Sequence, residues 1–384
     1  MNRELSPSHP AWGRGLNRSV KVLPQHARDH NRALVLTTLT ANGVLSRADI
    51  ARETGLTRVT VSDLVAELIE VGLIAEIGQR TDSRPGKPAT LLQVDPNARH
   101  VVGVDLSDLR EFQAGVFDLK GNLLSKHALA TGSERGTAAA DLAAEVAARA
   151  VAAASAPVLG VGVGAPGIVD VEGVVLTAPN FAWRNLDLQA HLAGVLAIPV
   201  HVANDANAAV MAENGFSGGH DDLLLITIGT GVGAGLLLDG APRLGRRYSA
   251  GEIGHVVVGT DEGPLCACGK IGCLEAWLAE PNLRGALAAA PSESAREEVL
   301  AEAGRRLGIA IAPVIGALNL TEIALSGPED LLGGALLDAA NEAVRHRMLG
   351  DATRHLVLRY TPSSAEVVLR GAAALVMAAE LGVG

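Results

Sequence analysis

The stretch from Gly251 to Ala276, GEIGHVVVGTDEGPLCACGKIGCLEA, constrains the chain more than any other. It contains Cys266, Cys268 and Cys273, all three cysteines of the sequence, and His255 lies a short loop upstream. Three thiolates and one imidazole complete a tetrahedral donor set for Zn²⁺, and four protein ligands leave no open position for an activated water. The expected metal is therefore structural. Gly263, Gly269 and Gly272 let the backbone turn tightly enough for three sulfurs to converge. The plainer alternative is three buried free cysteines beside a core histidine, but that suits scattered cysteines, and none occurs elsewhere. Glu252 and Glu275 flank the ligands, so zinc is expected to fix a loop that presents carboxylates.

Length and composition limit what that loop belongs to. A chain of 384 residues suggests two or three domains with ample core. Hydrophobic residues make up 48% and aromatics only 2%, so the core has to be built from Ala, Val, Leu and Ile. No uninterrupted apolar run approaches the roughly 20 residues of a membrane span. The opening MNRELSPSHPAWGRG lacks the apolar core of a signal peptide. No membrane partner is expected, and reduced thiols without an export signal point to the cytoplasm.

The net charge is −10. Residues 1–95 hold 12 Lys and Arg against 10 Asp and Glu, a charge of +2, whereas the remainder holds 20 against 32, a charge of −12. The acidity belongs to the second part, and a near-neutral N-terminal module binds DNA where one face is basic.

Residues 1–25 are polar, carry Pro7, Pro10, Gly13, Gly15 and Pro24, and read as a flexible lead. From His30 the pattern is helical, with Ala33, Leu34, Leu36, Thr37 and Leu39 on one stripe ending at Asn42-Gly43. A second helix starts at Ser46, with Asp49 completing a capping box, and stops at Gly55. Thr57 caps a third, whose Val61, Leu64, Val65 and Leu68 face inward. Helix, short Gly-containing turn, helix is the helix-turn-helix spacing. Two short strands follow around a Pro/Gly tip with Arg80, Arg84 and Lys87.

A basic-tipped hairpin directly after such a helix predicts a winged helix-turn-helix over residues 26–95. Its third helix would enter the major groove of operator DNA, with Arg58 and Ser62 outward and Thr57 and Thr60 near phosphates. Arg84 and Lys87 would reach the minor groove or the backbone. The plainer alternative is a three-helix protein-interaction module, which the agreement of wing and helix disfavours. Asp63 and Glu67 near the same face count against DNA, since carboxylates repel phosphate.

A boundary falls near Pro96 to Arg99, and the rest, 98–384, reads as a two-lobed α/β domain. HVVGVDLS, REFQAGVFDL and LLSKHALA are three strands, followed by an Ala-rich helix from Thr137 and the apolar strand VLGVGVGAPG. The order partly repeats in DDLLLITIG and VGAGLLLDG, which suggests duplication with a cleft between lobes. Asn204 and Asp205 stand where an apolar strand meets a helix. A carboxylate there accepts a hydroxyl proton or holds a polyol; the alternative is an ordinary helix cap. The glycine-rich turn at Gly229, Thr230, Gly231 and Gly233 either cradles phosphate with backbone N–H groups or is a tight β-turn.

Together APG at 165–167, APNFAW at 178–183, NDAN at 204–207, GTGVGAG at 229–235, GEIGH at 251–255 and CACGKIGCLEA at 266–276 resemble the ROK family of repressors and sugar kinases. The resemblance covers roughly residues 20–384. It implies an actin-like, hexokinase-related (ribonuclease H-like) fold, with one lobe about 98–204 plus a C-terminal helix 364–384 and the other about 205–363. It also implies a zinc site at His255, Cys266, Cys268 and Cys273 and sugar contacts from Asn204, Asp205, Glu252, His255 and Glu275. A winged helix places the chain with the family's repressor branch.

One departure separates the branches. Family kinases carry a phosphate loop of the form DxGGT, and the matching stretch here is Asp105-Leu106-Ser107-Asp108-Leu109-Arg110. Side chains at Ser107 and Asp108 obstruct a phosphate, and Asp108 adds negative charge where phosphate oxygens belong. Asp205, the family's catalytic base, would then be vestigial and serve sugar binding, with no enzyme activity expected. LSGPED at 325–330 replaces the kinases' glycine-rich adenosine loop, while RGAAAL at 370–375 resembles the family's closing helix.

The expected function is a sugar-responsive repressor of carbohydrate genes, a homodimer or homotetramer in which sugar or sugar phosphate between the lobes alters operator affinity. The rival expectations are a sugar kinase that also binds DNA, and a regulator read by a partner protein rather than by a sugar.

Overall fold

The computed structural model describes residues 24–80, 88–215, 221–259, 263–351, 353–361 and 366–383. The N-terminal module runs α1 (Pro24–Asn42), β1 (Leu45–Ser46), α2 (Arg47–Thr54), α3 (Arg58–Glu70), β2 (Ile74–Gln79) and β3 (Thr90–Val94). Helix α1 begins six residues before the periodicity at His30, and its buried face centres on Val35, Leu36 and Leu39 rather than on Leu34. Ser46 and Asp49 form the reciprocal capping box, and Gly55, at φ 70°, ends α2. Thr57 accepts the Thr60 N–H at the start of α3, and Val61, Leu64, Val65 and Leu68 are all buried.

The strands pair in the order β1-β3-β2, so β1 adds a third strand to the hairpin. Arg80, on the wing, donates to Asp49 at 2.7 Å, and Arg52 pairs with the same carboxylate. Burial by itself would raise the Asp49 pKa; the Ser46, Arg80 and Arg52 hydrogen bonds outweigh it and hold the carboxyl well below the usual range. Arg80 therefore fastens the wing to α2. Arg84 and Lys87 lie outside the described residues.

The next half contains β4 (His100–Asp105), β5 (Glu111–Phe117), β6 (Leu123–Ala130), α4 (Gly136–Ala153), β7 (Val158–Ala165), β8 (Ile168–Val169), β9 (Val174–Ala178), β10 (Trp183–Asp187), α5 (Leu188–Leu196) and β11 (Val200–Asn204). Strands β4 to β6 form an antiparallel meander, and β7 and β11 add in parallel, giving the order β11-β7-β4-β5-β6. Helix α4 buries six alanines and Val146, as an aromatic-poor core requires. Strands β8 to β10 form a small separate sheet that strand patterning alone did not predict.

The last half contains α6 (Asp205–Gly215), β12 (Leu223–Ile228), β13 (Val232–Leu238), β14 (Ala241–Pro242), α7 (Leu274–Leu278), α8 (Glu280–Ala289), α9 (Glu293–Leu318), β15 (Glu322–Ser326), α10 (Glu329–Leu332), α11 (Ala335–Arg347), β16 (Val357–Tyr360) and α12 (Val367–Val376). Here too a meander, β12 to β14, is extended in parallel by two later strands, in the order β14-β13-β12-β15-β16. The same five-stranded plan thus occurs twice, as the repeated strand pattern predicts.

Helix α12 crosses β4 and β7 of the first sheet and packs on α6, which covers β12 and β13 of the second. Two glycines allow this. A Cβ at Gly162 would lie 1.8 Å from the Ala372 carbonyl oxygen, and one at Gly371 would lie 1.8 Å from that of Ala208. The chain continues from α12 through a π-turn at Met377–Leu381. Leu369, Ala373, Val376, Met377, Leu381 and Val383 share one buried cluster with Val35, Leu36 and Leu39 of α1. The winged helix and the first sheet therefore have a common core. Among the described residues no helix is long and apolar enough to cross a membrane.

Candidate functional site

His255 ends a 3₁₀ turn, Glu252–His255, and the three cysteines follow in a knuckle closed by backbone bonds. Cys266 N–H donates to Lys270 O at 2.8 Å, Gly269 N–H to Cys266 O at 2.9 Å, and Val258 N–H to Gly272 O at 2.9 Å. The donor atoms of His255, Cys266, Cys268 and Cys273 all lie within 4.8 Å of one another. Tetrahedral zinc with sulfur at about 2.3 Å places its ligand sulfurs about 3.8 Å apart. The Cys268–Cys273 sulfurs are 3.6 Å apart, and Cys266 Sγ is 3.7 Å from His255 Nδ1. The cluster thus has the size and chemistry of a metal centre. Burial pushes the Cys266 thiol up to about 12 and Cys273 upward too, so these thiols ionise only with a cation between them.

Glu275 joins this cluster to the glycine-rich turn. Its Oε1 lies 3.9 Å from His255 Nδ1, and its Oε2 accepts the Val232 N–H at 3.1 Å. A Cβ at Gly231 would come within 2.8 Å of that Oε2, so glycine leaves the carboxylate room to approach without shifting. The turn itself spans only residues 229–231 of the β12–β13 hairpin, and Gly229 N–H donates to Gly231 O at 2.9 Å. Locally it is a tight β-turn.

Asn204 and Asp205 sit where β11 meets α6. Strands β4, β7 and β11 run parallel, with Asp105 paired to Gly164 and Asn204 to Ala165, so Asp105 and Asn204 leave the sheet at one level. Ligands of α/β sheets bind beyond such carboxyl ends. Asn204 Oδ1 accepts the Asn207 N–H at 3.0 Å and its Nδ2 donates to Gly167 O and Asp205 Oδ1, each at 2.9 Å. Asn204 is thus a helix cap that also orients Asp205.

Burial pushes the Asp205 carboxyl up to about 7; the Ala206 N–H opposes this, and the negative charges of Asp105 and Glu252 add to it. Burial, partly opposed by His255, raises Glu252 as well. Carboxylates from both halves therefore act on one space. Asp105 is a member that motif reading passed over except as the start of a loop; its alignment with Asn204 at the strand ends was the missing signal.

Asp205→Asn is expected to stabilise the unliganded protein at pH 8 by about 2 kcal/mol and to flatten its pH dependence. A carboxyl raised in the folded state contributes most below its unfolded value near 4, and that contribution is lost as pH rises through about 7. Thermal melts of both proteins between pH 5 and 8 measure it, and parallel curves would contradict it.

In the stretch Asp105 to Arg110, carboxylates of the loop itself take up two of its N–H groups. Ser107 N–H donates to Asp105 Oδ1 and Arg110 N–H to Asp108 Oδ1, each at 2.8 Å, and the Arg110 guanidinium pairs with Asp108 at 2.8 Å. The Asp105 and Asp108 side chains thus turn back onto the backbone of their own loop.

On α3, Thr57, Arg58 and Ser62 are exposed and Thr60 is half-buried. The Thr57 and Thr60 hydroxyls are 2.9 Å apart, so both serve the cap. Glu67 is paired with Arg28 at 2.7 Å and Arg32 at 3.7 Å, which reduces its repulsion of phosphate.

The sequence matches the ROK family over residues 101–379. The chain belongs to the ROK family. Its N-terminal residues 29–85 match the MarR family, and the architecture is a winged helix-turn-helix followed by an actin-like, hexokinase-like ROK domain. A xylose repressor of Caldicellulosiruptor bescii is 32% identical over 260 residues, 66% of this chain and 64% of that protein. This ROK chain therefore spans a little under two thirds of that relative's length. A glucokinase of Streptomyces coelicolor is 37% identical over 207 residues, 53% of this chain and 64% of that enzyme. A crystal structure of a ROK family transcriptional regulator, a homolog of the E. coli MLC protein, has a TM-score of 0.80 at 26% identity, covering 93% of this chain and 98% of that one.

Proposed function

We propose that this ROK protein is a sugar-responsive, DNA-binding repressor of carbohydrate genes that performs no phosphoryl transfer. The carrying observation is the path of α12: it lies against α6, which begins with Asp205, and its continuation shares a core with α1 of the winged helix. A change at the cleft has a packed route to the DNA-binding module. Similarity to xylose repressors supports the reading, and makes xylose the first sugar to test.

Sugar hydroxyls would bond to Asp205, Asn204, Glu252, His255 and Glu275. Zn²⁺ on His255, Cys266, Cys268 and Cys273 would supply no chemistry beyond fixing that loop. Thr57, Arg58, Thr60 and Ser62 would meet DNA, with Arg84 and Lys87 on the wing. The working units are 26–95, 98–204 with 364–384, and 205–363. Two-fold operators make a homodimer the smallest active form, with a homotetramer as the alternative, and the site of action is the cytoplasm. The carboxylates in the 105–110 loop favour this reading over a sugar kinase.

A thermal-shift panel of xylose, other free sugars and sugar phosphates, each with and without Mg-ATP, tests it. A ligand at 100 times its Kd should stabilise by about 2.7 kcal/mol. A shift from one sugar, unaffected by ATP and accompanied by a changed operator anisotropy, is the expected result. A shift that requires ATP, with sugar-dependent ADP release, would make the protein a kinase instead.

A further inference from the structure

Helix α3 buries Val61, Leu64, Val65 and Leu68, and turns Arg58, Val59, Ser62, Asp63 and Ala66 to solvent. Arginine and serine on that face suit DNA without further comment. Val59 and Asp63 do not.

Val59 is 71% exposed on the first turn of α3. Valine is a poor helix former, so an exposed one gains nothing from either propensity or burial. Asp63, one turn further on, presents a carboxylate to a polyanion, which lowers affinity for every DNA sequence alike. Glu67 on the same helix is held by Arg28 and Arg32, but Asp63 has no ion-pair partner among the described residues.

We propose that Val59 and Asp63 are base-reading, specificity-determining residues, Val59 packing on a thymine methyl and Asp63 accepting from a cytosine amino group in adjacent major-groove positions. The proposal rests on the DNA-binding reading of the winged helix. The N-terminal residues of a recognition helix are those that reach base edges. The thymine C5-methyl is the apolar group presented there, and a valine is its complement. Guanine shows two acceptors, thymine an acceptor, and adenine a donor beside the N7 acceptor; cytosine itself shows only its N4 donor, the acceptors of that pair lying on the guanine. A carboxylate is thus repelled least, and bonded best, by cytosine. Residues four apart on a helix are neighbours, so the two contacts fall on nearby bases. Ser62 and Ala66 between and beyond them are small enough to let the helix approach the groove.

The test begins with selection of duplexes from a randomised library by the full-length, zinc-loaded chain. Anisotropy titrations of the selected duplex then follow, with each thymine replaced in turn by uracil. At one thymine per half-site, removing the methyl should weaken wild-type binding about fourfold and leave Val59→Ala binding unchanged. At one cytosine, wild type should discriminate against thymine by about fivefold or more, and Asp63→Asn should lose that preference while binding random duplex more tightly. Both changes lie on the solvent face, so unchanged thermal melts verify the fold. Uracil tolerated at every position, or an unaltered cytosine preference in Asp63→Asn, overturns the inference alone. Failure to select any duplex removes the DNA-binding reading and the inference with it.

Discussion

Cys273→Ser is expected to abolish stoichiometric zinc and to weaken sugar binding by at least about a hundredfold. Cys273 is fully buried, its sulfur lies 3.6 Å from that of Cys268, and it is the residue from which α7 starts. Glu275 is the second residue of that helix, and its carboxylate reaches back to the Val232 N–H. Without a cation the buried thiols stay protonated and only weak S–H···S contacts join them, which leaves the backbone bonds from Val258, Cys266, Gly269, Gly272 and Leu274 to order the knuckle. His255 and Glu275 would then lose their fixed separation from Glu252 and Asp205. The comparison is zinc content by elemental analysis alongside the thermal shift with whichever sugar stabilises wild type, before and after chelation. A zinc-free chain that binds that sugar undiminished would mean that the loop is held by its backbone and that the metal is incidental.

What the sequence could convey depended on how local the determining interactions are. The cysteine knuckle was readable because four donors of the right softness lie within 19 residues, from His255 to Cys273. The buried face of α3 was readable because periodicity in an amphipathic helix is local. The stripe of α1 was misjudged for the opposite reason: Val35 packs in a core completed by the chain's last residues, Met377, Leu381 and Val383, which no short window contains. Asp105 escaped notice because its place in the carboxylate cluster depends on the register of β4 with β7 and of β7 with β11. At Asn204 the helix-cap reading holds, and the same side chain also orients Asp205. The role of α12 was the least visible, because glycine and alanine mark close approach by what they lack.

That close approach yields a prediction with the opposite sign to helix propensity. Gly371→Ala is expected to destabilise the protein by about 3 kcal/mol or more. Propensity alone would make the change favourable by about 1 kcal/mol, since glycine is the poorest ordinary residue in a helix interior. The new Cβ, however, would stand 1.8 Å from Ala208 O, 2.4 Å from Ala208 C and 3.0 Å from Ala209 N, all backbone atoms that no rotamer change can move. Carbon contacts settle at roughly 3.5 Å or beyond, so α6 and α12 must separate by on the order of 1.5 Å.

Neither helix is free to yield. Glu213 of α6 is buried and tied to Arg359 of β16 at 2.6 Å, and α12 is held against the first sheet where Gly162 meets Ala372. Gly194→Ala in α5 supplies the control, because its Cβ would meet nothing within 4 Å, and it should stabilise by about 0.5–1 kcal/mol. Urea melts of the two variants should therefore move in opposite directions. If the Gly371 variant folds, a second consequence separates packing from signalling: separation at Ala208 displaces α6 and with it Asp205, so the sugar's effect on operator affinity should fall more than sugar affinity itself. Stabilisation in both variants would mean that α6 and α12 lie farther apart in solution, and the packed route from cleft to winged helix would be lost with the contact.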